Sequence, residues 1–138
     1  MTVAAITPRV RTIVICDEVS ASRTEHRVFN LKGVRQHLTA ASFPCRVALR
    51  LFLLLSSPRK GKYPGKVLLV NERNERSIRY VKFSATFEED NELLPLYVDF
   101  GDCVFPEAGH YNFEINFAAR EGEALKGEHP FTVFSQEE

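Results

Sequence analysis

Side chains alternate between apolar and polar along Gly109-His110-Tyr111-Asn112-Phe113-Glu114-Ile115-Asn116-Phe117. A strand places successive side chains on opposite faces, so this period gives one apolar face and one polar face. Wound as a helix at about 100° per residue, the same aromatic side chains would be scattered around the axis. Tyr, Phe and Ile also favour strands. The stretch therefore predicts a half-buried β-strand.

A second strand shows the same alternation. One of its faces carries Val47, Leu49, Leu51, Leu53 and Leu55. The opposite face ends in Phe52 and Leu54, so we expect both faces to be covered there. Weaker strands are predicted at residues 10–16, 27–38, 66–71, 78–87, 96–105 and 128–134. Two segments, residues 34–41 and 118–126, also contain good helix formers.

Short strands separated by Gly, Pro, Asn and Asp indicate an all-β chain. We expect an immunoglobulin-like sandwich of two sheets with about eight antiparallel strands. Residues 1–138 would form a single domain with frayed ends at 1–8 and 135–138. Tyr111 follows the turn that enters a late strand, and two interpretations stay open for it. Its hydroxyl either bonds back to the preceding loop, as in such sandwiches, or the ring is one more core aromatic.

Composition indicates a globular, cytoplasmic protein. The chain has 138 residues, 44% of them hydrophobic, which is enough for one core. Cys16, Cys45 and Cys103 are widely spaced, so we expect reduced and mostly buried thiols. Residues 1–11 lack the layout of a secretory signal. The longest apolar run, residues 51–55, is far below the roughly 20 residues of a membrane span.

Charge is divided unevenly along the chain. Residues 1–82 hold 16 Lys and Arg against 5 Asp and Glu, whereas residues 83–138 hold 2 against 13. Such asymmetry marks either a basic surface for an anionic partner or internal pairing between early and late strands. We favour internal pairing, because a sandwich brings strands together that are distant in sequence.

The sequence offers no catalytic constellation. It contains no Gly-x-Ser-x-Gly motif, and His37 and His110 fall on predicted strands among polar neighbours. The glycines at Lys60-Gly61-Lys62 and Pro64-Gly65-Lys66 lack the spacing of a phosphate-binding loop. We assign no catalytic, cofactor-binding or metal-binding residue, and no cofactor.

Two binding alternatives remain open. If the strands alternate in direction, one end of the sandwich gathers acidic loops that calcium could bind. These loops hold Asp17, Glu18, Glu25, Glu88, Glu89, Asp90, Glu121 and Glu123, with the basic Arg59, Lys60 and Lys62 among them. The second alternative is nucleic acid, since residues 46–82 combine ten Lys and Arg with Tyr63 and Tyr80. The alternation from Arg79 to Phe83 gives no aromatic row on a basic face, which disfavours it.

Several segments, in order, resemble an uncharacterised family of bacterial proteins of about this length. They are Ile15-Cys16-Asp17-Glu18-Val19, Phe29-Asn30-Leu31-Lys32-Gly33-Val34, Ser42-Phe43-Pro44, residues 106–115 and Pro130-Phe131-Thr132-Val133. The resemblance implies a β-sandwich of unknown function in a bacterial cytoplasm, and it brings no functional residues. The basic stretch 57–63 departs from it.

The function expected from these observations is a non-catalytic interaction or scaffold module. Its edges or loops would contact another protein or a second copy of the chain. This expectation rests in part on analogy with other proteins of the same fold.

Overall fold

The structure, a computed structural model, describes residues 8–119 and 122–136. They form nine strands rather than the predicted eight, and the all-β class is confirmed. The strands are β1 (Arg9–Ala21), β2 (Phe29–Val34), β3 (His37–Ala40), β4 (Cys45–Ser57), β5 (Gly61–Asn71), β6 (Arg76–Phe87), β7 (Glu92–Phe105), β8 (Gly109–Ala119) and β9 (Gly122–Ser135). The two segments with helix formers are strands wherever they are regular and described.

The strands form two sheets. Sheet A has the order β2-β1-β4-β7, and sheet B, which curls into a half-barrel, has the order β3-β9-β8-β5-β6. The prediction that all strands pair antiparallel is wrong for β3, which pairs parallel to β9. The predicted strand 27–38 is divided, because the chain leaves sheet A after Val34 and enters sheet B at His37. The immunoglobulin-like arrangement stays a prediction.

The core lies between the two sheets. Leu49, Leu51, Leu53 and Leu55 of β4 are fully buried, as the alternation predicted. Sheet B faces them with four alternate side chains of β8 that are at most 1% exposed: Tyr111, Phe113, Ile115 and Phe117. Aromatic rings meet edge to face, for example Phe105 with Tyr111 at 4.9 Å between centroids. The two alternating stretches of the sequence thus form the facing walls of one core.

The second part of the chain repeats one path. β4 and β7 lie side by side in sheet A, and each is followed by a strand and then a hairpin partner in sheet B, β5–β6 and β8–β9. β5 also pairs antiparallel with β8. The segments β4–β6 and β7–β9 are therefore equivalent halves of this part of the chain, and their two crossings between sheets lie at opposite ends of the two sheets.

The crossings share a six-residue pattern, Pro-x-x-Gly-x-Tyr, at residues 58–63 and 106–111. The Tyr111 hydroxyl donates to the Glu107 carbonyl at 2.7 Å, and the Tyr63 hydroxyl donates to the Arg59 carbonyl at 2.9 Å. Burial raises the pKa of Tyr111, so its hydroxyl keeps the proton it donates. The first interpretation of Tyr111 is confirmed, and Tyr63 forms an equivalent corner.

Ion pairs join the basic early strands to the acidic late ones. Within the described residues, four of them connect residues 1–82 to 83–138: Arg27–Glu92, Arg46–Asp102, Arg50–Asp99 and Arg73–Glu107. The Arg46 and Arg50 pairs cross directly from β4 to β7. Internal pairing therefore accounts for part of the charge asymmetry, as expected.

The predicted frayed ends lie mostly outside the described residues. Pro8 is buried, and Ser135 pairs with Ala40 as the last residue of β9. Over the described ranges we find no helix with the length and hydropathy needed to cross a membrane.

Candidate interaction surface

The acidic residues that calcium was expected to bind do not all lie in loops at one end of the strands. Asp17 and Glu18 lie inside β1, where Asp17 accepts from the Arg35 guanidinium at 2.6 Å. The prediction that loops 58–60 and 88–91 meet is confirmed by the Lys60 N–H, which donates to Asp90 Oδ1 at 2.9 Å. Glu121 lies outside the described residues, and the side chain of Glu123 is not described. In the described residues, no three His, Cys, Asp or Glu side chains are grouped to hold a metal ion.

The basic middle region does not form a stacking platform. Tyr63 points into the protein against Phe87, with ring centroids 5.8 Å apart, so it is not available to a base. Tyr80 is 57% exposed on the outer face of sheet B, as the alternation predicted, and Lys66 Nζ lies 5.2 Å from its ring centroid. One exposed tyrosine among lysines does not provide the successive rings that single strands stack on.

The buried thiols and the strand histidines take part in the packing of the fold. Burial raises the pKa of the Cys103 thiol to about 12, and burial and the charge of Asp17 raise that of Cys16. His110 Nδ1 lies 3.2 Å from Thr132 Oγ1, and the His37 ring packs against Phe134. These contacts are structural, and the thiols are protonated at neutral pH.

The β1–β2 hairpin folds over the outer face of sheet A. β1 pairs with β4 only as far as Cys16 and then pairs only with β2. Gly33 permits the bend: its φ is 71°, and a Cβ there would lie 2.2 Å from Asp17 Oδ2. At the far end, the Phe29 ring packs on Phe52 at 5.7 Å between centroids. This hairpin is the expected cover over the outer face of β4.

Arg27 and Glu92 fasten the tip of the hairpin to β7. The guanidinium of Arg27 pairs with the Glu92 carboxylate and also donates to the Leu93 carbonyl at 3.4 Å. Glu92 Oε1 accepts hydrogen bonds from the backbone N–H groups of Glu88 and Glu89, at 2.7 and 3.0 Å. The N–H of Glu89 is the main cause, with Arg27 next, of a pKa for Glu92 below its usual value. Glu92 therefore holds both the tip and the β6–β7 turn.

An apolar patch surrounds this junction. Phe29, Phe52, Leu93, Pro95 and Tyr97 form what we call the outer patch. Leu93 and Tyr97 are 56% and 48% exposed on the same face of β7, and the Tyr97 ring lies 6.3 Å from that of Phe29. Leu94 and Leu96, which alternate with them, pack against the core. The outer patch thus presents aromatic rings and aliphatic side chains to solvent, and the strand that carries Leu93 and Tyr97 is packed against the core on its other face.

A basic groove of about 340 Å³ adjoins the outer patch and shares Leu93 with it. Its other lining residues are Arg9, Arg11, Ser56, Ser57, Pro58 and Asn91. Arg11 Nε donates to Ser56 Oγ at 3.0 Å, which orients the guanidinium along β4. Among the described residues, neither Arg9 nor Arg11 forms an ion pair. Positive charge is therefore available beside the outer patch.

The free edge of β7 is poorly suited to receive another strand. Pro95 has no N–H to donate. The carbonyl of Leu93 accepts from Arg27, and that of Phe100 accepts from Arg79 Nε at 2.7 Å. Arg79 belongs to β6, so it also bridges the neighbouring edges of the two sheets. These features protect the edge from β-pairing and leave the face of the strand as the exposed element.

A family model described as "Family of unknown function (DUF6941)" matches residues 11–134. The chain belongs to this family. The match covers most of the length of the chain, from within β1 to within β9, and confirms the predicted likeness to an uncharacterised domain family. A search of curated proteins finds no match. The DUF6941 assignment names no activity.

Sequence reasoning missed the outer patch for a definable reason. The strand was predicted to begin at Leu96, and Pro95 is a residue type that argues against a strand interior. β7 in fact begins at Glu92, and Pro95 is tolerated because β7 is an edge strand. The alternation of Leu93, Pro95 and Tyr97 was the available signal.

Proposed function

We propose that this protein is a non-catalytic interaction module that binds a segment of another protein on the outer patch. The observation that carries the proposal is the exposure of Leu93 and Tyr97 on a patch of packed rings. Exposed apolar surface bordered by polar residues is typical of protein-binding sites. We place the module in a bacterial cytoplasm, on an immunoglobulin-like scaffold whose corner tyrosine supports that arrangement.

The surroundings of the outer patch define the chemistry of the partner. Arg9 and Arg11 line the groove that Leu93 shares, and both guanidinium groups are free of carboxylates in the described part of the chain. A partner segment with an apolar side chain next to Asp or Glu would fill the patch and pair with these arginines. Aromatic and arginine side chains are the residues that most often dominate such contacts.

The geometry of β7 favours contact with its face rather than strand addition. Arg27 and Arg79 occupy two of its edge carbonyls, and Pro95 removes one donor. A partner therefore gains affinity from side-chain contacts on the patch and not from a continuous ladder of backbone hydrogen bonds.

Affinity enrichment from the native host tests the proposal. The test variant is Leu93→Ser with Tyr97→Ser. The matched control is Leu125→Ser with Tyr80→Ser, which removes the same residue types at similar exposure, 52% and 57%, from sheet B. We expect a partner that the wild type and the control retain and that the patch variant loses. Equal retention by all three proteins would contradict the proposal.

A further inference from the structure

The basic groove lies at the end of sheet A where β1 starts, β4 ends and β7 starts. Arg9 faces Ser56 in the register of β1 with β4, and Ser56 faces Leu93 in the register of β4 with β7. These three residues form a row across the sheet, with an arginine on one side and the outer patch on the other. Asn91, in the turn before β7, also lines the groove.

A bulge in β1 brings a second arginine to this row. The register of β1 with β4 shifts between Val10 and Thr12, so Arg11 is the extra residue. A bulge redirects a side chain. Arg11 Nε donates at 3.0 Å to Oγ of Ser56, the residue that faces Arg9. Both guanidinium groups therefore border the Ser56 hydroxyl, and their terminal nitrogens have no protein acceptor among the described residues.

The acidic residues nearest to the groove in sequence are engaged elsewhere. Asp90 and Glu92 flank Asn91, but neither lines the groove. Asp90 Oδ1 accepts from the Lys60 N–H at 2.9 Å, and the Glu92 carboxylate pairs with Arg27. Within the part of the chain that the structure describes, no carboxylate is among the lining residues. An anion that enters the groove thus meets two positive charges and no negative one.

The donors of the groove suit the oxygens of a phosphate group. The Asn91 N–H donates to the Pro58 carbonyl at 3.2 Å, which holds the turn, and the Asn91 side-chain amide makes no hydrogen bond within the described ranges. The Ser56 hydroxyl accepts from Arg11 and keeps its own proton to donate. Guanidinium groups bind phosphate with two parallel hydrogen bonds. Two of them balance the charge of a phosphate dianion, whereas a carboxylate balances only one.

We propose that the basic groove binds the phosphate-monoester dianion of a phosphorylated residue in the partner segment, beside the apolar side chain that contacts Leu93. The inference rests on the proposed function for its partner and adds that phosphorylation of the segment strengthens binding. A phosphorylated side chain brings close to two negative charges and three acceptor oxygens. Asp or Glu at the same place brings one charge and two oxygens, and therefore binds the groove less tightly.

NMR titration of the ¹⁵N-labelled full chain with three short peptides tests the inference. Each peptide has a leucine two residues before a variable residue, because alternate residues of an extended segment share a side and lie about 7 Å apart. The variable residue is phosphoserine, glutamate or serine. We expect the phosphoserine peptide to shift the Nε–H signals of Arg9 and Arg11 and the side-chain amide of Asn91 in a saturable way. It should bind at least about fivefold more tightly than the glutamate peptide.

Three variants separate the groove from general attraction between opposite charges. Arg9→Gln and Arg11→Gln each remove one guanidinium group, and Arg76→Gln removes an exposed arginine from β6 in sheet B as the matched control. The backbone spectrum of each variant shows whether it is folded. We expect the preference for phosphoserine over glutamate to be lost in both groove variants and kept in the control. Equal affinity of the wild type for the two peptides would overturn the inference, and so would a preference that both groove variants retain.

Failure of this inference and failure of the proposed function give different results. If the variant Leu93→Ser with Tyr97→Ser loses a partner but the wild type shows no phosphoserine preference, the phosphate site is wrong and the interaction module stands. If the preference is found in the groove but that variant retains every partner, the phosphate site stands and the outer patch is wrong.

Discussion

Tyr63 and Tyr111 occupy equivalent positions in the two halves β4–β6 and β7–β9, and each hydroxyl donates to the carbonyl four residues earlier. Each bond fixes the turn by which the chain crosses from sheet A to sheet B. Because β4 pairs antiparallel with β7, the two bonds lie at opposite ends of the two sheets. The repeated path of the fold thus rests on a repeated side-chain contact.

Removing the two hydroxyl groups should have unequal effects. The Glu107 carbonyl accepts from buried Tyr111, so Tyr111→Phe should lower the free energy of unfolding by about 1–2 kcal/mol. The Arg59 carbonyl also accepts from Ser57 Oγ at 2.7 Å, so Tyr63→Phe should cost only about 0.5–1 kcal/mol. Urea denaturation measures both, with Tyr80→Phe as the exposed control. A larger loss for Tyr63→Phe than for Tyr111→Phe would contradict this account.

The stability supplied by Glu92 should disappear in acid. Its pKa is lowered in the folded protein, so its contribution is complete above the unfolded value of about 4.3 and is lost as the pH falls through the folded value. Glu92→Gln should therefore be less stable than the wild type at pH 7, and the difference should shrink as the pH falls below about 4.

Urea midpoints from pH 7 to pH 3 check this. Glu25→Gln, an exposed change in the same hairpin tip, is the control and should follow the wild type. A difference between wild type and Glu92→Gln that stays constant down to pH 3 would rule out an ionised Glu92 as its source.

The three thiols should react in a fixed order. Cys103 is buried with a pKa of about 12, and burial also raises the pKa of Cys16, so both remain protonated at pH 8. Cys45 is only half-buried. Titration with a disulfide reagent should modify Cys45 first in the native protein and the other two only on unfolding. Cys45→Ser should abolish the early phase, and an early phase that survives this change would show that a core thiol is accessible.

Gly65 leaves space for two aromatic rings. A Cβ at this position would lie 2.6 Å from Phe83 Cζ and 3.0 Å from Phe117 Cε1. Gly65→Ala should therefore lower the free energy of unfolding by about 1–3 kcal/mol through overpacking. Adding Phe83→Leu should recover part of this loss if the clash is the cause, and a double-mutant cycle by urea denaturation measures the coupling.

The elements that could be predicted from the sequence are those with uninterrupted alternation. β8 and β4 could be predicted from the alternation at residues 111–117 and 47–55, because side chains that face the core of a strand recur at every second residue. The parallel pairing of β3 with β9 could not be predicted, since alternation does not record which strand is the neighbour. The start of β9 was missed because Gly122 and Gly127 interrupt the pattern.

The candidate site was less accessible to sequence reasoning than the core. The outer patch combines β7 with the tip of the β1–β2 hairpin. The tip lies against β7 because the hairpin bends near Gly33, and no local pattern specifies that bend. The equivalence of Tyr63 and Tyr111 was visible as a repeated Pro-x-x-Gly-x-Tyr, but its meaning required the two hydrogen bonds.

The central claim is that partners bind the face of β7 beside the hairpin tip. Hydrogen exchange of the protein, alone and saturated with the partner retained by enrichment, tests it most directly. We predict slower exchange in the segment from Glu92 to Tyr97 and around Phe29, with sheet B unchanged by the partner. Protection confined to sheet B or to the far ends of the strands would contradict the claim.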